Sequence, residues 1–211
     1  MTRPPEYLAP YLRAARYHGG GFGSLLWASP TTQAARFDAM MRLVEMNGAT
    51  ILDVGCGRAD LLDHLLVQGV RPAQYIGLEA VPELADAAEA KRLPRSTIIR
   101  ADFVDQPLRM LVGAEIVAFS GSLNTLADDD FASTLRTAFQ AARWAVVFNF
   151  LCSPRLAGQD YLRWRPRAVV KRLCLGIAGN VQTLDDYLDG DCTAAMLRDS
   201  LVPSDRYSGR G

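Results

Sequence analysis

The stretch Ile51-Leu52-Asp53-Val54-Gly55-Cys56-Gly57-Arg58-Ala59-Asp60 decides the fold. Ile51, Leu52 and Val54 have the composition of a buried strand, with Asp53 placed just ahead of a glycine turn. Gly55 and Gly57 let the backbone bend sharply and approach a ligand without a Cβ in the way. Leu61 to Leu66 then opens a helix whose first amides face the same point. A strand, glycine turn and helix in this order hold a nucleotide-like ligand at the carboxyl edge of a parallel sheet.

Working outward, apolar strands are expected at 50–54, 74–78, 97–100, 115–119 and 144–150, with helices at 60–68, 82–91 and 129–142 between them. The connection over 101–113 is less regular. Upstream, a short helix is expected over 5–17, ended by a glycine cluster. A second runs from Thr31 or Thr32 to Met46, with a threonine cap and Gly48 as its stop. Strands separated by helices imply a parallel sheet covered on both faces, and right-handed crossovers make it doubly wound. After residue 151 the pattern changes. A helix over 166–176 leads to VQTLDDYL and CTAAML around an acidic turn, which predicts a closing antiparallel hairpin. The expectation is therefore an α/β, mostly parallel seven-stranded sheet with a terminal hairpin. Residues 1–48 would form N-terminal helices and an active-site lid, 49–197 the ligand-binding domain, and 198–211 a polar tail.

Bulk properties narrow the class. A chain of 211 residues with 49% hydrophobic content can bury one substantial core. Lys+Arg and Asp+Glu both number 23, and this balance argues against a broad nucleic-acid footprint. No run approaches the roughly 20 apolar residues that span a bilayer, and the N-terminus lacks the apolar core of a signal peptide. Cys56, Cys152, Cys174 and Cys192 occur singly, without CxxC spacing. A cytoplasmic protein with reduced thiols is expected, as a monomer or homodimer, with no membrane partner. The histidines, His18 and His64, are not spaced with cysteines or carboxylates as metal ligands, so no metal is expected.

Three carboxylates narrow the ligand. Asp53 precedes the glycine turn, Glu79 ends the second strand and Asp102 follows the third. An acid at the second strand end suits bidentate bonding to ribose hydroxyls. One after the third strand can accept from an adenine amino group. Asp53 can orient the loop amides or meet a cationic group.

These residues resemble the class I S-adenosylmethionine-dependent methyltransferases, a Rossmann-like family. ILDVGCGRAD resembles the family's first motif, YIGLEAVPELADAAE its second and IIRADFVD its third; EIVAFSGSLNTL is similar to the fourth-strand segment. The resemblance covers roughly residues 49–197. It implies S-adenosylmethionine as cofactor, with Asp53, Gly55, Cys56 and Gly57 around its methionyl part. Glu79 and Ala80 would meet the ribose, and Asp102 and Phe103 the adenine. Ala59 stands where many members carry a third glycine, and little effect is expected from it. A nicotinamide-dependent oxidoreductase is the competitor on this fold, but its G-x-G-x-x-G would put a small residue where Asp60 stands. A non-catalytic subunit of the same fold is the other alternative. The lack of a [D/N]-P-P-[Y/F] segment disfavours amino-group methylation of nucleic-acid bases and certain protein amides, and a small molecule is the expected acceptor.

Acceptor contacts are sought in three places. Ser120 and Asn124, after the fourth strand, are candidate positioning groups; Ser120 also stands beside the cofactor, and ordinary turn chemistry is their plainer role. The N-terminal region offers Tyr17 and Trp27 for the acceptor and His18 as a base, while Gln33 and Arg36, one helical turn apart, could reach the cofactor's carboxylate. Here a W-x-S and Q-x-x-R-F pattern, with Asn149-Phe150-Leu151 further on, resembles a subgroup of bacterial methyltransferases of small acceptors. Finally, Arg163 or Arg165 could recognise a carboxylate or phosphate on the acceptor. The alternative is that this basic segment and the acids at Asp185, Asp186, Asp189 and Asp191 neutralise each other. His64 is read as a helix-surface or packing residue.

Overall fold

The computed structural model describes residues 4–198. The chain runs α1 (Ala9–His18), α2 (Pro30–Leu43), β1 (Thr50–Val54), α3 (Asp60–Val67), β2 (Gln74–Glu79), α4 (Pro82–Ala90), β3 (Ser96–Arg100), β4 (Ile116–Phe119), α5 (Asp128–Ala141), β5 (Ala145–Leu151), α6 (Arg167–Leu175), β6 (Asn180–Leu184) and β7 (Asp191–Leu197). The seven strands form one sheet in the order β3-β2-β1-β4-β5-β7-β6. The first five run parallel, and β7 inserts antiparallel between β5 and β6. The expected seven-stranded, mostly parallel sheet with its terminal hairpin is the observed one. The order steps outward from β1 in both directions, so a crevice opens at the carboxyl ends of β1 and β4.

Period-two alternation sorts the buried side chains onto two faces. On one, Ile51 and Tyr75 pack with Phe37 and Met40 of α2 and with Leu61, Leu62 and Leu65 of α3. On the other, Leu52, Val54, Phe119, Phe148 and Phe150 pack with Phe131 and Leu135 of α5 and Val170 of α6. Each such side chain contributes about 1.5–3 kcal/mol by leaving water. Strands β4 and β5 are buried along their whole length, as a sheet covered on both faces requires.

Helix α1 starts at Ala9, four residues later than expected, and both ends of α2 differ from expectation. Helix α2 starts at Pro30, not at a threonine. Ser29 is the cap, its hydroxyl accepting from the Thr32 amide at 3.1 Å while the Thr32 hydroxyl takes the Ser29 amide. The helix stops at Leu43, because Val44 turns extended several residues before Gly48. Of the polar tail expected over 198–211, only Arg198 falls within the described residues. Arg198 donates to the carbonyls of Ala142 and Phe139 at 2.8 and 2.6 Å, and its amide to Trp144. The rest of that tail, 199–211, lies outside the described residues. Among the described residues no helix is long and apolar enough to cross a membrane.

Candidate active site

The turn after β1 is built by its glycines and held by one acid. Gly55 and Gly57 have φ of 71° and 56°, a region that costs an L-residue roughly 1–2 kcal/mol. There is no room for a side chain either. A Cβ on Gly55 would stand 2.4 Å from the Ser122 Cβ, and one on Gly57 would stand 2.6 Å from the Leu25 side chain. Gly55 and Cys56 donate their amides to the Leu78 carbonyl, at 2.8 and 3.1 Å. Glu79, at the end of β2, accepts from the Gly57 amide at 2.7 Å and from the Val81 amide at 2.8 Å. One buried carboxylate thereby ties the glycine turn to the start of α4. Burial raises its pKa, and these backbone bonds oppose the rise. Ala59, expected to have little effect, is itself left-handed at φ 57°, so it carries strain that glycine would avoid.

Around this turn lies a cavity of about 280 Å³. Gly55, Gly57, Glu79, Ala80, Asp102 and Phe103 wall it from β1, β2 and β3, and Ser120 and Asn124 from the end of β4. Trp27 and Arg36 close it from the N-terminal segment. The Asp102 carboxylate accepts from the Val104 amide at 2.9 Å and from the Tyr7 hydroxyl at 2.7 Å. Tyr7, Tyr11 and Leu25 also line the wall and were missed in the sequence. The spacing of the two tyrosines, one helical turn apart, was the available signal.

A buried polar circuit reinforces the far wall. Arg36 donates through Nε and Nη2 to Asp191 Oδ2, and Tyr187 donates to Asp191 Oδ1 at 2.6 Å. The Thr193 hydroxyl bonds to Tyr187 at 2.8 Å, Asn149 donates to Thr193 at 2.7 Å, and Ser120 donates to Asn149 at 3.1 Å. The Arg36 guanidinium also lies over the Trp27 ring, 4.5 Å from its centre. Helix α2, β5, the hairpin turn and the loop after β4 are thus joined through side chains at the cavity.

Several expected residues stand elsewhere. Asp53 shares the Ile51 face of β1, so it points beneath the turn, away from the cavity, and accepts from Tyr75 at 2.5 Å. Cys56 faces down too, its sulfur filling the space above Gly77. Gln33 reaches Asp60 at 3.4 Å instead of the cavity, and Lys91 bridges Asp60 and Asp63. Tyr17 is 86% exposed and packs edge-on against His18, 4.9 Å between centroids, and neither touches the cavity. Arg165 is buried in structural work: Nε meets Asp128 at 2.9 Å, Nη2 meets the Leu126 carbonyl at 2.7 Å, and the guanidinium covers Phe131. Arg163 is exposed and off the cavity wall. The acids of the hairpin turn are neutralised instead, Asp185 by Arg167, Asp186 by Arg42, Asp189 by Arg155 and Asp191 by Arg36. His64 bonds Asp38 at 2.6 Å and packs on Phe37. The four cysteines are free thiols, and among the described residues no group of His, Cys, Asp or Glu is arranged to hold a metal.

The burial of Asp53 has a measurable consequence. Desolvation raises its pKa from 3.8 to about 7, against the opposing Tyr75 hydrogen bond. The folded state therefore holds this proton more tightly than the unfolded chain. Stability from this group is greatest below pH 4 and declines as pH rises to 7, by on the order of 4 kcal/mol. Urea unfolding at stepped pH should show wild type losing stability relative to Asp53→Asn across that window. Parallel curves would show that Asp53 is ionised in the fold.

No family model and no curated protein matches this chain. Solved structures do. A SAM-dependent methyltransferase of Leishmania major superposes with a TM-score of 0.71 at 16% identity, covering 91% of this chain and 83% of that one. The DhpI complex with SAM and HEP superposes at 0.66 and 19% identity, covering 92% and 99%. Magnesium protoporphyrin IX methyltransferase of Synechocystis PCC 6803, with bound SAH, gives 0.63 at 13% identity, covering 91% and 96%. The fold is that of the SAM-dependent methyltransferases. In this methyltransferase fold the cavity lies at the carboxyl edge, where the sheet order reverses direction.

Proposed function

We propose that the protein is an S-adenosylmethionine-dependent methyltransferase acting on a small molecule. The observation that carries this reading is the buried Glu79, which locks a Cβ-free glycine turn beside the cavity while Asp102 faces the same space. The residues present fit the cofactor. Each Glu79 oxygen keeps a lone pair after serving its backbone amide, which suits two ribose hydroxyls. Asp102 and Phe103 suit the adenine, and Gly55 and Gly57 let a chain approach the backbone. Arg36, held by Asp191, would meet the carboxylate of the methionyl end. The cofactor-binding domain would span 49–197, with 1–48 supplying the lid through Leu25 and Trp27.

When bound, S-adenosylmethionine would supply an electrophilic methyl group, to which an acceptor lone pair bonds in line as the C–S pair returns to sulfur and S-adenosylhomocysteine is left. The chain's task is then alignment and exclusion of water. Trp27, Leu25 and Tyr11 line the cavity from the N-terminal side and would shield the bound cofactor. Ser120 and Asn124 present polar atoms after β4 toward the reacting region. Both also have structural partners, Asn149 for Ser120 and the Leu151 amide for Asn124 at 3.3 Å, so they orient the acceptor as fixed groups. Calorimetry with S-adenosylmethionine and S-adenosylhomocysteine tests the reading. Saturable one-to-one binding of both is expected, and binding of neither refutes it.

A further inference from the structure

The acceptor half of the cavity has its own chemistry. Glu79, Asp102 and Phe103 belong to the β2 and β3 end. The wall continues past β4 to β5 and β7, two and three strands beyond β1. At about 4.8 Å per strand this reaches roughly 14 Å, beyond the reach of the adenosine end. There the wall is made by Leu151 at the end of β5, Leu156 and Leu162 in the following loop, and Leu188 in the hairpin turn. The charged side chains that line the cavity on that side are paired. Arg36 is paired with Asp191 and, on the proposed reading, keeps its remaining donor for the cofactor's own carboxylate, while Asp189, at the rim, is paired with Arg155 at 3.1 Å. Arg165 gives Nε to Asp128 and Nη2 to the Leu126 carbonyl while its buried Nη1 has no partner, and neither it nor the exposed Arg163 lines the cavity. Over the whole lining, Glu79, Asp102 and Asp189 face Arg36 as the single cation among the described residues. A carboxylate or phosphate entering here would lose its water without gaining a partner, and a buried ammonium would face leucines.

We infer that the methyl acceptor is an uncharged, largely apolar molecule seated against Leu151, Leu156, Leu162 and Leu188. This rests on the methyltransferase reading of the same cavity and replaces the acidic acceptor that the arginines of 163–165 suggested. The apolar wall and the matched charges together set the selectivity.

Protein saturated with S-adenosylhomocysteine is titrated calorimetrically with three probes of like size: 4-propylphenol, 3-(4-hydroxyphenyl)propanoate and tyramine. The neutral phenol should bind at least tenfold tighter than either charged probe. Leu156→Arg, at a partly exposed rim position, should erase that preference and improve the carboxylate probe, leaving affinity for S-adenosylhomocysteine within twofold of wild type. Equal or tighter binding of either charged probe overturns the inference. So does failure of 4-propylphenol to bind while S-adenosylhomocysteine does. Failure of S-adenosylhomocysteine itself to bind strikes the methyltransferase reading, and the inference falls with it.

Discussion

Asp191→Ala should lower the melting temperature on the order of 6–20 °C, the equivalent of about 3–5 kcal/mol in a domain of this size. Asp191 has no solvent exposure, and its two oxygens serve Arg36 on one side and Tyr187 on the other. Removing it leaves a guanidinium that is nine-tenths buried without its counter-charge, and a phenol without its acceptor. Burial and the neighbouring Asp191 raise the Tyr187 pKa, so it stays a donor at any ordinary pH and loses a bond it needs. The cost comes from the orphaned groups, not from the pair's intrinsic strength. Arg36→Leu combined with Asp191→Leu should therefore recover much of the loss. The Arg42–Asp186 pair provides the internal control, since it also joins an arginine to an aspartate through two hydrogen bonds but lies in solvent. Asp186→Ala should leave the melting temperature unmoved. Equal effects at Asp186 and Asp191 would mean that burial does not distinguish the two pairs, against the packing described.

The contrast between those pairs also explains what the sequence could reveal. Local signals were sufficient for the sheet. Glycines follow a β-composed run at 55 and 57, acids recur at strand ends, and the hairpin breaks the helix–strand alternation. Each of these is a property of neighbouring residues, and each survives in the structure. Side-chain partners at long range leave no such trace. Arg36 and Asp191 stand 155 positions apart, and Arg165 and Asp128 37 apart. Nothing in the basic run around 163–172 separates the arginine that is buried over Phe131 from those in water. Asp53 is a different case. Alternation puts it on the Ile51 face, so its place beneath the turn was readable, but proximity in sequence to Gly55 outweighed the period of two. Tyr17 and His18 were drawn to the cavity by the flexible glycines beside them. The structure instead ends α1 there and turns both rings outward. The leucines proposed for the acceptor wall come from a strand end, the loop after it and the hairpin turn, which is why no single window of sequence displays them.

Glu79→Ala should weaken binding of S-adenosylhomocysteine by at least about 10²–10⁴-fold, the direct loss of two hydrogen bonds, with a loss of preorganisation adding to it. The first is direct: two hydrogen bonds from ribose hydroxyls to a carboxylate, at about 1.5–3 kcal/mol each, correspond to roughly that range. The second is preorganisation. Without the acid, the amides of Gly57 and Val81 lose their acceptors, and the turn whose φ angles only glycine tolerates loses its tie to α4. Glu79→Gln separates the two. Its amide oxygen can still take one backbone N–H, but its NH₂ group must confront the other donor. It should fall between wild type and alanine in affinity. Asp102→Asn should be milder still: its side-chain oxygen can keep the Val104 amide that holds the loop. The ranking, read by calorimetry at a single pH, is the test. Wild-type affinity in Glu79→Ala would remove this residue from the cofactor site, because no other carboxylate stands at the end of β2 to take its place.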